Sequence, residues 1–175
     1  MPKRVIFLDR DGVINKEVKY LFRINDFIFH EGIFSTCTHF LNLGYEIIIV
    51  TNQSGIARGY YNENDFKILS VWMINCFKEK NINILDIFHC PHNEKSNCKC
   101  RKPRPGMLLD AKEKYNIDMQ NSWLIGDKES DIIAAKNSGI ENTVLVRSGH
   151  KIDELNSKAK FFMGSIQDVR NLIMT

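Results

Sequence analysis

The sequence predicts an α/β fold, a Rossmann-like three-layer sandwich with a central parallel sheet. Three observations carry this. Short, continuous apolar runs each close on a polar residue; stripes of apolar residues at helical spacing lie between them; and the two kinds of segment alternate along the chain. Runs that are apolar throughout suit strands buried on both faces. Alternation of strand and helix gives parallel strands joined by right-handed crossovers.

The elements follow in order. Val5 to Leu8 is the first strong run and stops at Asp9. Ile33, Cys37, Phe40 and Leu41 recur at helical spacing, and Gly44 stands where that helix ends. Residues 45–50 (YEIIIV) form the second strong run, closing on Thr51. Asn62 is placed to cap a helix whose apolar stripe is Phe66, Leu69, Met73 and Phe77. Residues 84–89 are a weaker strand, and Leu108, Ala111 and Tyr115 mark the next helix. Residues 123–125 are the third strong run, ending at Gly126-Asp127; Ile132, Ile133 and Ala135 follow and Gly139 closes them. Residues 143–146 and 160–163 complete the strands. There is no internal repeat, linker or break in composition, so residues 1–175 are read as a single domain. Cys37 and Cys76 fall on apolar helix faces and are expected in the core.

Composition narrows the classes. At 43% hydrophobic and 26% charged over 175 residues, the chain is of ordinary globular make-up, which excludes collagenous and disordered chains. No apolar run approaches the ~20 residues of a membrane helix, so no membrane association is expected. The start, MPKRVIFLDRDG, turns acidic too soon for a secretory signal, which points to the cytoplasm. A net charge of +3 does not by itself call for nucleic acid. Five Cys is an odd number, and three of them crowd at positions 90, 98 and 100 with three of the four Pro at 91, 103 and 105. That crowding suits metal ligation in a reducing compartment better than a disulfide frame.

Ligands bind at the carboxyl ends of strands in such sheets, so Asp9, Thr51 and Asp127 should converge on one site. Asp11 lies two residues after Asp9, and Asp131 lies in the helix after Asp127. Carboxylates gathered at one edge repel each other unless a cation is present, and hard oxygen ligands favour Mg²⁺. Lys102 and Thr51 supply a cation and a hydroxyl donor for an anion. A metal and donors around a carboxylate nucleophile suit phosphoryl transfer.

The motifs FLDRDG at 7–12, VTNQSG at 50–55, KP at 102–103 and GDKESD at 126–131 resemble, in that order, those of the haloacid dehalogenase-like phosphatase superfamily. The resemblance implies that Asp9 is the nucleophile that takes the phosphoryl group and that Asp11 is the general acid and then base. It implies that Asp9, Asp127 and the backbone carbonyl of Asp11 hold Mg²⁺, with Asp131 behind them. Thr51 and Lys102 would hold the phosphoryl oxygens. The chain is too short for a separate cap domain, so a capless core is expected.

Residues 90–100 read CPHNEKSNCKC. Cys90, His92, Cys98 and Cys100 give three thiolates and an imidazole, the donors of a closed, structural Zn²⁺ site. A polar loop without a core can be ordered by such a metal, which would fix the adjoining Arg101 and Lys102. DRDGVIN, TNQSGIARG, this loop, CRKPRPGM and GDKESD together resemble the D-glycero-D-manno-heptose 1,7-bisphosphate phosphatase family, whose histidinol-phosphate phosphatase relatives share most of these motifs. The resemblance implies hydrolysis of the 7-phosphate of a sugar bisphosphate, serving activated-heptose synthesis for a surface polysaccharide. It also implies substrate contacts at Arg10, Tyr20, Asn52, Gln53, Ser54, Arg101 and Lys128. Residues 16–19 depart from the family's pattern and Tyr20 matches it. Arg101 has the planar fork that suits a distal phosphate or sugar hydroxyls, and Arg58 is a candidate for the rim. The basic run Lys99, Arg101, Lys102 and Arg104 also suits a solvated face or a nucleic-acid contact.

The expectation is therefore a cytoplasmic, monomeric sugar-bisphosphate phosphatase that binds no nucleic acid. Histidinol-phosphate phosphatase is the alternative. A nucleic-acid 3′-end phosphatase and a non-catalytic, zinc-stabilised binding module follow.

Overall fold

The structure is a computed structural model, and it describes residues 1–174. Six strands form one parallel sheet: β1 (Val5–Leu8), β2 (Glu46–Asn52), β3 (Asp86–Cys90), β4 (Trp123–Gly126), β5 (Asn142–Val146) and β6 (Phe161–Met163). Their order is β3-β2-β1-β4-β5-β6, and every neighbouring pair is parallel. The chain thus starts in the middle of the sheet and builds outward in both directions. The reversal of strand order on either side of β1 opens the crevice where open α/β sheets bind ligands.

Four helices join strands, α1 (Ile33–Asn42), α2 (Glu63–Lys78), α3 (Gly106–Tyr115) and α4 (Glu129–Ser138), and the short α5 (Ile166–Val169) follows β6. Successive strand residues point to opposite faces, and the core divides accordingly. Ile6, Leu8, Ile47 and Ile49 pack with α1, α2 and α5. Val5, Phe7, Ile48 and Val50 pack with α3 and α4. This is the expected three-layer sandwich. Asn62 caps α2: its side chain accepts from the Asp65 N–H, and Asp65 accepts from the Asn62 N–H, both at 2.9 Å. Past α1 the chain turns through Gly44 at φ +79°, a left-handed conformation that glycine adopts freely.

The structure departs from expectation in a few places. β2 runs on to Asn52, because Thr51 and Asn52 pair with His89 and Cys90 of β3. A 3₁₀ turn over Ile24–Asp26 and α5 are too short to show a helical stripe. Cys37 is buried in the core, whereas Cys76 sits on the flank of α2 and is only half-buried. Between β1 and β2 lie only the 3₁₀ turn and α1, and between β2 and β3 only α2, so no cap domain is inserted among the described residues. Among the same residues, no helix is long and apolar enough to cross a membrane.

Candidate active site and metal centres

The carboxyl ends of β1, β2 and β4 meet as the sequence predicts. Asp9 leaves β1, with its N–H donating to Ile125 O of β4 at 3.0 Å. Lys102 reaches the same point from the Cys-rich loop. Its Nζ donates to Asp9 Oδ1 at 2.9 Å and Val50 O at 2.8 Å, and pairs with Asp131 Oδ1 at 2.7 Å. The side chain of Asn52 holds Lys102 there through both polar backbone groups: it accepts from the Lys102 N–H and donates to its carbonyl, each at 3.1 Å. Asp131, in the first turn of α4, accepts from the N–H groups of Asp127 (3.2 Å) and Lys128 (3.1 Å).

These charges are nearly out of solvent: Asp9 is 7%, Lys102 4%, Asp131 1% and Asp127 0% exposed. Burial pushes the Asp9 carboxyl well above the usual range; Lys102 draws it back, and Asp131, Asp127 and Asp11 push it further up. Asp127 is pushed up to about 7 by burial and by Asp131. Burial alone would lower the Lys102 ammonium, but Asp131 and Asp9 hold it above its ordinary value. The cluster is therefore short of positive charge. Oxygens of Asp9, Asp127 and Asp131 lie within 4.8 Å of one another, and Asp127 Oδ1 is buried with no partner in the protein. An all-oxygen donor set with an unsatisfied carboxylate oxygen fits Mg²⁺.

Asp11 is held from behind. Arg10 donates to it from Nε (3.1 Å) and Nη2 (3.0 Å to each oxygen), Asn15 from Nδ2 (3.0 Å) and Gln53 from Nε2 (3.1 Å). Gln53 also donates to Thr51 Oγ1 at 2.8 Å and accepts from the Tyr61 hydroxyl at 2.5 Å. Arg10 is expected at the substrate, but its side chain is 1% exposed and lies beneath the site, ion-paired to Asp11.

The cavity above these groups has a volume of about 460 Å³. Asp9, Asp11, Tyr20, Thr51, Asn52, Gln53, Ser54, Arg101, Lys102, Lys128 and Asp131 all line it. Residues 17–19 line it as well, with Glu94 and His150. Tyr20 stacks on Tyr60 at 4.3 Å between ring centres, which ties the flap after β1 to the loop after β2. Glu94 accepts from Arg101 Nη2 at 3.0 Å and from Arg58 Nη2 at 2.5 Å, so Arg58 braces the rim from outside the cavity.

In the Cys-rich loop, ligand atoms of Cys90, His92, Cys98 and Cys100 lie within 4.8 Å of one another. Cys90 Sγ is 3.4 Å from His92 Nδ1, 3.8 Å from Cys98 Sγ and 2.8 Å from Cys100 Sγ. Against the effect of burial, a backbone hydrogen bond from Arg101 and contacts with Cys100 and Cys90 lower the Cys98 thiol to about 6. Three sulfurs and an imidazole nitrogen in one cluster fit a closed Zn²⁺ site. Arg104 stitches the loop, donating from Nη1 to Ser96 O (2.9 Å) and Cys98 O (2.5 Å).

Sequence reasoning misses Tyr61, Glu94 and His150. The strand-end rule selects the residue that stops a strand, which after β5 is Arg147; His150 lies three residues further on, in the loop that returns to Asp127.

Comparison with known proteins agrees with this geometry. Residues 99–169 match the HAD-hydrolase-like family. The D-glycero-alpha-D-manno-heptose-1,7-bisphosphate 7-phosphatase of Photorhabdus laumondii is 50% identical over 163 residues, 89% of either chain. The D-glycero-beta-D-manno-heptose-1,7-bisphosphate 7-phosphatase of Pasteurella multocida is 41% identical over 178 residues, 98% of this chain and 97% of that one. A crystal structure of D,D-heptose 1,7-bisphosphate phosphatase from B. bronchiseptica, complexed with magnesium and phosphate, matches with a TM-score of 0.85 at 26% identity, over 97% of both chains. Since the similarity runs through nearly the whole of these relatives, the chain belongs to the heptose-1,7-bisphosphate 7-phosphatase family of HAD-like phosphatases.

Proposed function

We propose that this phosphoric monoester hydrolase removes the 7-phosphate of D-glycero-D-manno-heptose 1,7-bisphosphate in a Mg²⁺-dependent reaction, and that the α anomer is its substrate. What supports the α anomer is the greater identity to the α-named relative, 50% against 41% for the β-named one. Neither relative's name supports the histidinol-phosphate alternative.

The observation that carries the chemistry is the Lys102 ammonium clamped between Asp9 and Asp131 at the mouth of the sheet. Burial favours a protonated Asp9, and a nucleophile must be ionised; Lys102 at 2.9 Å works against that protonation. The Asp9 carboxylate attacks phosphorus, the bond to the sugar oxygen breaks, and an aspartyl phosphate forms. Asp11 gives a proton to the departing oxygen and later takes one from the water that hydrolyses the acyl phosphate. Its bonds to Arg10, Asn15 and Gln53 hold it at this station. Thr51 and Lys102 hold phosphoryl oxygens, and Arg101 takes the distal phosphate. Mg²⁺, held by Asp9, Asp127 and the carbonyl of Asp11, would offset the charge of the phosphoryl group.

Zn²⁺ on Cys90, His92, Cys98 and Cys100 is structural and orders the loop that delivers Arg101 and Lys102. The catalytic unit is a single domain, 1–175, acting as a monomer on a small molecule in the cytoplasm, where thiols stay reduced. What supports this location is that the five cysteines are unpaired.

The test compares kcat/KM for both anomers of the heptose bisphosphate, histidinol phosphate and a 3′-phosphorylated oligonucleotide. The α anomer should be the best substrate, and Asp9→Asn should abolish phosphate release while the fold survives. Turnover by Asp9→Asn would remove the nucleophile assignment, and preference for histidinol phosphate would remove the substrate assignment.

A further inference from the structure

The loop after β5 comes unusually close to Asp127. Ser148 Oγ donates to Gly12 O at 2.8 Å, which pins this loop to the one after β1. A Cβ on Gly149 would stand 2.0 Å from Asp127 Oδ2, so only glycine admits this approach. The next residue uses it. His150 donates its backbone N–H to Asp127 Oδ2 at 3.1 Å and sets ring Nδ1 2.6 Å from the same oxygen. A carboxylate oxygen that already accepts one N–H calls for Nδ1 as a second donor. Both contacts fall on Oδ2, whereas Oδ1 is buried and has no partner.

We propose that His150 is a positioning residue for the metal ligand Asp127. By occupying Oδ2 it fixes the rotation of the carboxylate and leaves Oδ1 as the oxygen offered to Mg²⁺. The imidazole is not itself a ligand, since a hard cation takes oxygen donors. The other side of the ring borders the cavity, and Nε2 lies 3.9 Å from Glu17 Oε1 of the flap, beyond hydrogen-bonding range. Partners that orient a metal ligand typically change affinity about 10–100-fold when removed.

The inference rests on Asp127 as a Mg²⁺ ligand in the phosphatase reading, so its test is a binding measurement made without substrate. Calorimetric titration of the full chain with Mg²⁺ compares wild type, His150→Leu and His150→Asn. All three keep the backbone N–H, so only the side-chain donor differs. His150→Leu should weaken Mg²⁺ binding about tenfold or more. His150→Asn, which keeps a donor, should recover most of it. In turnover, the Mg²⁺ concentration for half-maximal rate should rise in His150→Leu, with a smaller change in kcat at saturating Mg²⁺. Binding by His150→Leu within twofold of wild type, or binding by His150→Asn as weak as by His150→Leu, would overturn the proposal. A wild type that binds Mg²⁺ but releases no phosphate from the heptose bisphosphate would instead sink the substrate assignment and leave this comparison intact.

Discussion

Replacing Lys102 with Met tests the electrostatic design of the site. Met keeps the length of the side chain and deletes the ammonium. The structure shows what is lost: contacts at 2.9 Å to Asp9 and 2.7 Å to Asp131, and a hydrogen bond to Val50 O at 2.8 Å. Lys102 is 4% exposed, so water cannot take its place beside the two carboxylates. Removing one partner of a buried pair costs about 3–5 kcal/mol, because the other charge stays behind unpaired. At roughly 2–4 °C per kcal/mol for a chain of this size, Tm should fall by about 6–20 °C at pH 8. The deficit should shrink at pH 5, where Asp9 and Asp127, already raised by burial, take up protons more readily. Thermal unfolding at both pH values without Mg²⁺ measures this, and phosphate release at pH 8 should be lost in parallel. A Lys102→Met chain that is folded, loses less than about 1 kcal/mol at pH 8 and shows no pH dependence of the deficit would refute the reasoning.

Two further outcomes follow, one at Asp127 and one in the Cys-rich loop. Asp127 has a folded pKa of about 7, above its unfolded value, so between pH 4 and 7 the folded state binds more protons than the unfolded chain. Its contribution to stability therefore falls as pH rises through that window. Mg²⁺ binds the ionised form, so its gain in Tm should be larger at pH 8 than at pH 5; equal gains would contradict the assignment. For the Cys-rich loop, metal analysis should find about one Zn²⁺ per chain. Cys98→Ser should lose it, keep the sheet, and lower kcat/KM about 10²-fold by displacing Arg101 and Lys102. Full activity in a zinc-free Cys98→Ser chain would dismiss the loop's positioning role.

What could be read from the sequence was whatever local spacing encodes. The strands of this sheet are buried on both faces, so β1, β2 and β4 stand out as unbroken apolar runs, and Asp9 and Asp127 as the polar residues that stop them. Cys90, His92, Cys98 and Cys100, the proposed zinc ligands, lie within eleven residues and need no tertiary contact to be recognised. Features set by distant partners were hidden. The end of β2 depends on pairing with β3, and Asn52 meets Lys102 across fifty residues. His150 meets Asp127 only because β5 lies beside β4. Arg10 was hidden for another reason: it lies in the turn after β1, where no strand alternation sets its direction, and its side chain points inward to hold Asp11.

That inward arginine shows how charge is distributed at the sheet's edge. Asp11 has its own cation, Arg10, and a fence of neutral donors. Lys102 pairs with Asp9 and Asp131, whereas Asp127 accepts from His150 on Oδ2 and has no partner on Oδ1. The apolar core on both faces of the sheet can carry this local deficit, since burying charge costs several kcal/mol but burying the strands' side chains returns more. In the proposed reaction the deficit has a use: a cluster fully neutralised by protein cations would have little affinity for a metal ion. The residues that hold Asp11 and the free oxygen of Asp127 are therefore parts of one arrangement, in which the proposed acid is bound by protein donors and the proposed nucleophile's neighbours keep an oxygen suited to a cation.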